Sequence, residues 1–162
     1  MERVFFRYVW MPPDNPAWPL SFKSKGVRAH VRKVLTKDNL VFTVGTKNKL
    51  TAPQHQGRVL GIFKLSDLEV SLQDYDLQRT HDNPAFDTVM QSPFALHPIA
   101  GWVPASPDNM FADLVGPLTP EHHLQAQSGV CELDEKTAKP LLALERRQLT
   151  IAVPNTPPLA KG

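Results

Sequence analysis

The sequence predicts an α+β fold, built on a small, curved, barrel-like mixed sheet with flanking helices. About five or six segments have the composition of strands, and helix-like segments separate only some of them, without regular β-α-β alternation. The strongest strand pattern, residues 57–70, carries Gly57 and Gly61, and glycines inside a strand indicate a bend or bulge. Such a bend curves a sheet, which favours the barrel-like form.

The amino-terminal part predicts a strand, a loop and a helix. Residues 3–11, "RVFFRYVWM", combine aromatic and β-branched side chains and stop at two prolines, which is typical of a strand. The proline-rich stretch "PPDNPAWPLSFKSKG" then predicts a loop that carries aromatic residues. Residues 26–36 predict an amphipathic helix, because Val27, Val31 and Leu35 recur at helical spacing.

The middle of the chain predicts two neighbouring strands, a short helical turn and a further strand. Residues 40–46, "LVFTVGT", form an apolar run between turn residues, which indicates a buried strand, and residues 57–70 form the next one. We expect the helical turn after Pro84 and the further strand around residues 99–103.

The carboxy-terminal part predicts two helices and a last strand. The first helix should be capped by Ser106 and end before Gly116. The second should begin after Asp134 as its cap, and Pro140 should weaken or kink it. Residues 148–154, "QLTIAVP", alternate in polarity and end at proline, so they predict the final strand.

Length and composition favour one domain in a reducing compartment. The 162-residue chain predicts a single domain over residues 1–154, followed by a tail or linker over residues 155–162. Cys131 is the single cysteine and cannot form an intramolecular disulfide. The sequence contains no run of about 18 apolar residues, which is the length needed to cross a bilayer. We therefore expect a cytoplasmic protein without a membrane partner.

The charges are unevenly distributed along the chain. The formal net charge is only +2, from 18 Lys and Arg against 16 Asp and Glu, and says little about partners. Most of the basic residues lie within residues 3–64, where only Asp14 and Asp38 are acidic, and the rest of the chain is net acidic. A basic surface of this kind fits nucleic acid, although chance segregation in a small protein explains it as well.

No pattern assigns a catalytic residue, a cofactor or a metal. His122 and His123 are adjacent and have no Cys or His partner at ligand spacing, which argues against a zinc site. Cys131 is more typical of a small core residue than of a nucleophile. The sequence has no G-x-S-x-G elbow and no phosphate-binding glycine loop. An enzyme stays an open alternative, because acid and base residues cannot be paired from sequence alone.

Basic and aromatic side chains together suggest nucleic-acid binding. Arg28 and Arg32 are four residues apart on one helix face, with Lys25 one turn earlier, and the apolar stripe lies opposite. Their guanidinium groups should reach solvent and could contact phosphates, or they could simply form a solvated helix face. Aromatic residues at strand ends and loops could stack on bases or pack in the core, namely Trp10, Trp18, Phe22, Phe94 and Trp102.

The order of these features resembles the PUA-like superfamily, in particular its EVE, ASCH and YTH-type branches. The resemblance rests on "FKSKGVR", "DNLVFTVGT" and "GRVLGIFKL", and on "GVCELDEKTAKPLLALERRQLTIAVP" as the closing helix and strand. It covers most of the chain, but "KDN" replaces a common Gly-Asp turn and residues 71–97 form an insert. It implies a small barrel that reads a base, often a modified one, in an aromatic-lined pocket.

The resemblance also implies site residues. The base pocket would be formed by Trp10, Trp18, Phe22, Lys23, Thr46 and Trp102. Backbone phosphates would be contacted by the basic helix, through Arg28, Arg32 and Lys33, together with Lys25.

We therefore expect a non-catalytic module that binds nucleic acid, with DNA favoured over RNA. We expect it to read a base, in particular a modified base. Such a module could serve as the specificity domain of a fused or associated nuclease in a modification-dependent restriction system. Three alternatives stay open. These are an RNA-binding domain of the same architecture, a small ASCH-type hydrolase that uses a lysine and an acidic residue, and an interaction module whose basic helix meets an acidic partner.

Overall fold

The computed structural model describes most of the chain. The described residues are 2–9, 19–35, 38–47, 51–72, 75 and 94–151. Trp10, Trp18, the turn predicted after Pro84 and the predicted tail over residues 155–162 lie outside them.

The described residues form a seven-stranded mixed sheet. Its strands are β1 (Val4–Val9), β2 (Leu20–Phe22), β3 (Leu40–Gly45), β4 (Val59–Val70), β5 (Phe94–Pro104), β6 (Cys131–Leu133) and β7 (Arg146–Gln148). Their order is β2-β5-β4-β3-β1-β6, and β7 also pairs with β5. β1 and β3 are parallel, and the other pairs are antiparallel. The α+β class and the mixed sheet are confirmed, but the sheet is not closed, so the predicted barrel-like form is wrong for this part of the chain.

Four helices accompany the sheet in the described ranges. They are α1 (Lys25–Val34), α2 (Phe111–Val115), α3 (Pro120–Ser128) and α4 (Glu135–Leu142). The Ser24 hydroxyl accepts a hydrogen bond from the Val27 N–H at the start of α1, and the Asp134 carboxylate accepts one from the Thr137 N–H at the start of α4. Gly116, with a φ of +73°, ends α2. None of these helices has the length and apolarity needed to span a bilayer.

Most element positions agree with the sequence predictions. β1, α1, β3, β4, β5 and α4 lie where they are predicted, and α4 continues through Pro140. The register between β3 and β4 shifts at Val44, beside Gly61, which confirms the predicted bulge. Because of this shift, Leu60 of β4 has no paired residue on β3.

Two predicted elements are corrected, and two observed elements were not predicted. The helix predicted from Ser106 begins only at Phe111, because Ser106 caps a turn instead, with its hydroxyl accepting from the Asp108 N–H at 3.4 Å. β7 ends at Gln148, the residue at which the final strand was predicted to begin. The sequence analysis did not predict β2 or α3. β2 has three residues, and Ala126 is the one buried residue of α3, so neither shows a long periodic pattern.

Side chains alternate between the two faces of the sheet and form the two larger of the three hydrophobic clusters among the described residues. On one face, Phe6 and its neighbour Phe42 pack in the core to which α2, α3 and α4 contribute. On the other face, Phe5 and Val41 pack in the core to which α1 contributes Val31. The basic helix therefore lies on the opposite side of the sheet from the other three described helices.

Candidate functional site

A half-open pocket of about 490 Å³ lies where the parallel strands β1 and β3 end. Small-ligand sites typically have volumes of roughly 300–1,000 Å³. Its walls come from the ends of β1 and β3, the residue Gly57 before β4, α2 with the turn that follows, and α3. The polar lining residues are Tyr8, Thr46, Lys47, His123 and Gln127.

Two glycines hold the loop after β3 against the start of β4. The Gly45 N–H donates to the Arg58 carbonyl at 3.0 Å, and the Gly57 N–H donates to the Gly45 carbonyl at 2.9 Å. A Cβ at Gly45 would overlap the carbonyl of His55, and Gly57 has a φ of +72°. Both positions therefore require glycine, for different reasons, and together they place one wall of the pocket.

A buried threonine anchors the residue that follows β3. The hydroxyls of Thr46 and Thr51 are 2.6 Å apart, and Thr51 is buried. Gln56 donates from its side-chain amide to the Thr51 carbonyl at 2.9 Å. These bonds position the adjoining Lys47, which is exposed and lines the pocket.

Aromatic contacts connect two other walls of the pocket. The ring of Phe6 meets Tyr8 edge-on, with centroids 5.5 Å apart, and meets Phe111 at 4.7 Å. The Phe111 N–H donates to the Gly57 carbonyl at 2.8 Å, which fixes the start of α2 beside the strands. The apolar wall of the pocket is therefore continuous with the core that contains Phe6 and Phe111, and close packing holds it in place.

A capping box positions α3. The Thr119 hydroxyl accepts from the His122 N–H at 3.3 Å, and Nδ1 of His122 accepts from the Thr119 N–H at 3.0 Å. The next residue, His123, then lies beside Tyr8, and Gln127 follows one turn later along the same face. The local cap therefore decides which two polar side chains α3 contributes to the pocket.

Tyr8 and His123 form a hydrogen-bonded pair in the pocket wall. Tyr8 Oη lies 2.5 Å from His123 Nδ1, and the two rings are stacked with centroids 5.7 Å apart. Burial raises the pKa of the Tyr8 phenol, so it keeps its proton at neutral pH. Because an imidazole nitrogen is a stronger base than a phenol oxygen, we assign the phenol as the donor to Nδ1, which places the imidazole N–H at Nε2.

Four of the six residues predicted to bind a base lie among the described residues, and one of these four, Thr46, lines the pocket. Phe22 lies in β2 within the core on the α1 side and is only 1% exposed, and the neighbouring Lys23 is exposed there. Trp102 packs against the core on the pocket side of the sheet, with Arg146 over its ring at 4.9 Å, but it is not among the lining residues. The expected single pocket of these side chains is therefore not formed by the described members.

The predicted exposure of Arg28 is wrong. Its guanidinium donates to the Glu69 carboxylate at 3.0 Å and to the Val70 carbonyl at 3.2 Å, and it lies over the Phe94 ring at 5.3 Å. Its side chain is only 10% exposed. Helical spacing shows which residues share a face with Arg28, but it does not show that a distant strand covers part of that face. Arg28 therefore anchors α1 to the sheet.

The other predicted phosphate-binding residues lie on the same helix. Arg32 is partly exposed and also reaches Glu69, at 3.4 Å. Lys25 and Lys33 are exposed. All of them lie on the opposite side of the sheet from the pocket, so α1 does not form its wall.

Four polar pocket residues escape prediction from the sequence. Tyr8 could have been found, because alternation along β1 places it on the same face as Phe6. His123 and Gln127 lie on a helix with little amphipathic pattern, and Lys47 lies in a polar connection. Their meeting depends on contacts between segments that are far apart in the chain.

A second cleft of about 650 Å³ lies near β6 and the start of α4. It is crossed by Arg3, which donates to both Glu132 oxygens, at 2.6 and 2.7 Å. These hydrogen bonds lower the pKa of the Glu132 carboxyl. Within the described ranges, no cluster of three or more His, Cys, Asp or Glu residues could hold a metal ion. Arg3 and Glu132 thus neutralise each other in the cleft, and we take the pocket as the stronger candidate site.

Comparisons of the sequence with family models and with curated proteins, and of the structure with solved structures, found no match. The PUA-like resemblance therefore stays a prediction, and the function has to be argued from the pocket.

Proposed function

We propose that the protein is a nucleic-acid-binding module that reads a single base, in particular a modified one, in the pocket at the ends of β1 and β3. The observation that carries this proposal is the hydrogen-bonded Tyr8–His123 pair beside an apolar, aromatic wall in a half-open pocket of about 490 Å³. Proteins that read an extruded base combine these two features, since they stack the ring on apolar side chains and bind its edge by hydrogen bonds.

Different walls of the pocket would contact different parts of the base. The partly exposed side chains of Met110, Val115 and Leu118 would contact the face of the ring, while His123 and Gln127 would bind its edge. Because Tyr8 and Thr46 already have hydroxyl or imidazole partners, their role would be to hold the walls in place. Preorganised walls lower the entropy cost of binding a small planar group.

Basic residues near the pocket would meet the phosphate backbone. Lys47 is exposed in the pocket wall, and Arg58 follows Gly57 and forms a β-bridge with Met110, another lining residue. Lys25 and Lys33 on α1 could add a weaker, second contribution from the other side of the sheet. We keep DNA as the favoured partner, and a fused or associated nuclease would use such a module as its specificity domain.

The hydrolase alternative has less support from this pocket. It requires a lysine and an acidic residue in one site. Lys47 is present, but no Asp or Glu belongs to the lining formed by the described residues. A binding role fits this set of side chains better than acid–base chemistry that depends on a carboxylate.

The proposal is tested by fluorescence anisotropy with labelled single- and double-stranded DNA and RNA oligonucleotides, with and without modified bases, at about 50 and 200 mM salt. We expect binding that weakens as salt increases, because phosphate contacts release counterions. Lys47→Met should weaken it, whereas the matched control Lys33→Met should have a smaller effect. If no oligonucleotide binds in a salt-sensitive way, the proposal is wrong. Tighter binding to RNA than to matched DNA would favour the RNA alternative.

A further inference from the structure

We infer that the pocket selects a ring that carries hydrogen-bond acceptors, above all an anionic substituent such as a carboxylate, over a ring that carries only a methyl group. This inference rests on the proposed function and deepens it, because it names the chemical class of the base. It is carried by the charge and the donors of the lining residues.

The lining has a positive balance. Lys47 belongs to it, and none of its described members is acidic. Lys47 also takes part in none of the salt bridges found among the described residues. An anionic group in the pocket would therefore meet a cation whose charge is not already neutralised by a carboxylate in the described structure, and it would meet no like charge there.

The polar side chains of the pocket mainly offer donors. With Tyr8 assigned as the donor to His123 Nδ1, the N–H at Nε2 of His123 is the donor that this ring offers. Nε2 makes no hydrogen bond within the described part of the chain. The Lys47 ammonium adds a cationic donor, and the Gln127 amide can donate as well. A methyl group placed against these donors would displace water from them without replacing its hydrogen bonds.

The apolar side chains of the pocket indicate what the rest of the ligand should look like. Met110, Val115 and Leu118 are partly exposed and provide surface for a planar ring rather than for a bare inorganic anion. The hydrogen-bond donors and the apolar surface of the pocket together fit a heteroaromatic ring with an acceptor-rich or carboxylated edge. An oxidised pyrimidine in a nucleic acid has this chemistry.

The first arm of the test uses small probes, so that it does not depend on nucleic-acid binding. Orotate, a uracil ring with a carboxylate, is titrated against uracil and thymine, with the imidazole and amide NMR signals of the protein as the readout. We expect orotate to bind about tenfold tighter than thymine, the size of effect that one charge-assisted hydrogen bond produces. Lys47→Met should remove most of this preference. The control Lys136→Met changes an exposed lysine of α4 that does not line the pocket, and it should keep the preference.

The second arm uses oligonucleotides that differ only in one cytosine, which carries a 5-carboxyl, a 5-methyl or no substituent. We expect the carboxylated oligonucleotide to bind tightest, again by about tenfold. If oligonucleotides bind with a salt dependence but without this preference, and orotate is not preferred, the inference is wrong and the proposed function stands. If orotate is preferred and no oligonucleotide binds, the inference stands and the proposed function is wrong. If neither class of probe binds, both are wrong.

Discussion

The phenol of Tyr8 and the imidazole of His123 are 115 residues apart in the chain, and their polar atoms are 2.5 Å apart in the pocket wall. This contact joins β1 to α3. With the phenol assigned as the donor, the contact leaves the imidazole N–H at Nε2 for a ligand.

Replacing Tyr8 with phenylalanine should separate binding from stability. The phenyl ring still packs against Phe6, so Tyr8→Phe should fold and lose about 1 kcal/mol, the typical net value of one hydrogen bond. Oligonucleotide affinity should fall further, because His123 loses the partner that orients it. Urea unfolding and anisotropy measure the two effects.

Tyr75 provides the matched control for that substitution. Its hydroxyl lies 2.6 Å from Nδ1 of His97, in a separate cluster away from the pocket. Tyr75→Phe should therefore cost similar stability and leave the affinity unchanged. Equal losses of affinity in the two variants would contradict a role for the Tyr8–His123 pair in binding.

The stability of the protein should fall at alkaline pH because of Tyr8. Burial raises the pKa of its phenol above the ordinary value of about 10. The folded state then holds this proton more tightly than the unfolded state. The resulting contribution of Tyr8 to the free energy of unfolding is complete below about pH 10 and is lost as pH rises through the pKa of the folded state. Chemical unfolding at pH 9 and pH 11 should show a larger loss for the wild type than for Tyr8→Phe. An equal loss in both proteins would show that Tyr8 does not titrate in this way.

Arg28 and Lys33 should behave differently although both are basic residues of α1. Arg28→Met removes the bond to Glu69 and the bond to the Val70 carbonyl, so the free energy of unfolding should fall by about 2 kcal/mol. Lys33→Met changes an exposed side chain and should stay within about 0.5 kcal/mol of the wild type. Thermal or urea unfolding compares the two, and similar stabilities would be inconsistent with the buried contacts of Arg28.

Gly45→Ala should damage the pocket wall. The added methyl overlaps the carbonyl of His55, so the loop after β3 must move, and we expect a loss of about 1–3 kcal/mol together with shifted amide signals at Thr46 and Lys47. Gly26→Ala is the matched control, because the nearest atom to its new methyl, the Ser24 hydroxyl oxygen, is 3.9 Å away. Alanine there should stabilise α1 by up to about 1 kcal/mol. An unchanged stability of Gly45→Ala would show that the loop packs less closely than described.

The sequence was most informative where a pattern is long and local. The alternating and apolar runs around Phe6, Phe42 and Phe63 predicted strands, and the spacing of Val27 and Val31 predicted α1. These predictions succeed because a strand or helix must bury a face of defined period. β2 has too few residues for a period to show, and α3 buries only Ala126, so it shows little apolar periodicity.

The candidate site was much less predictable. Thr46 was expected in a pocket and lines one, but the proposed partners around it were chosen from loops and a helix that lie elsewhere. Arg28 was expected in solvent, and Glu69, 41 residues away, covers it instead. Composition and spacing describe one segment at a time, so they do not reveal such pairs.

Local chemistry was thus enough to establish the α+β class, the order of the main elements and the caps at Asp134 and Gly116. The contacts between distant segments settled three further points: the open sheet, the side on which α1 packs, and the meeting of Tyr8 with His123. The physical reason is that the period of a strand tells which side chains share a face, while the register and helix packing of the folded chain decide what that face meets.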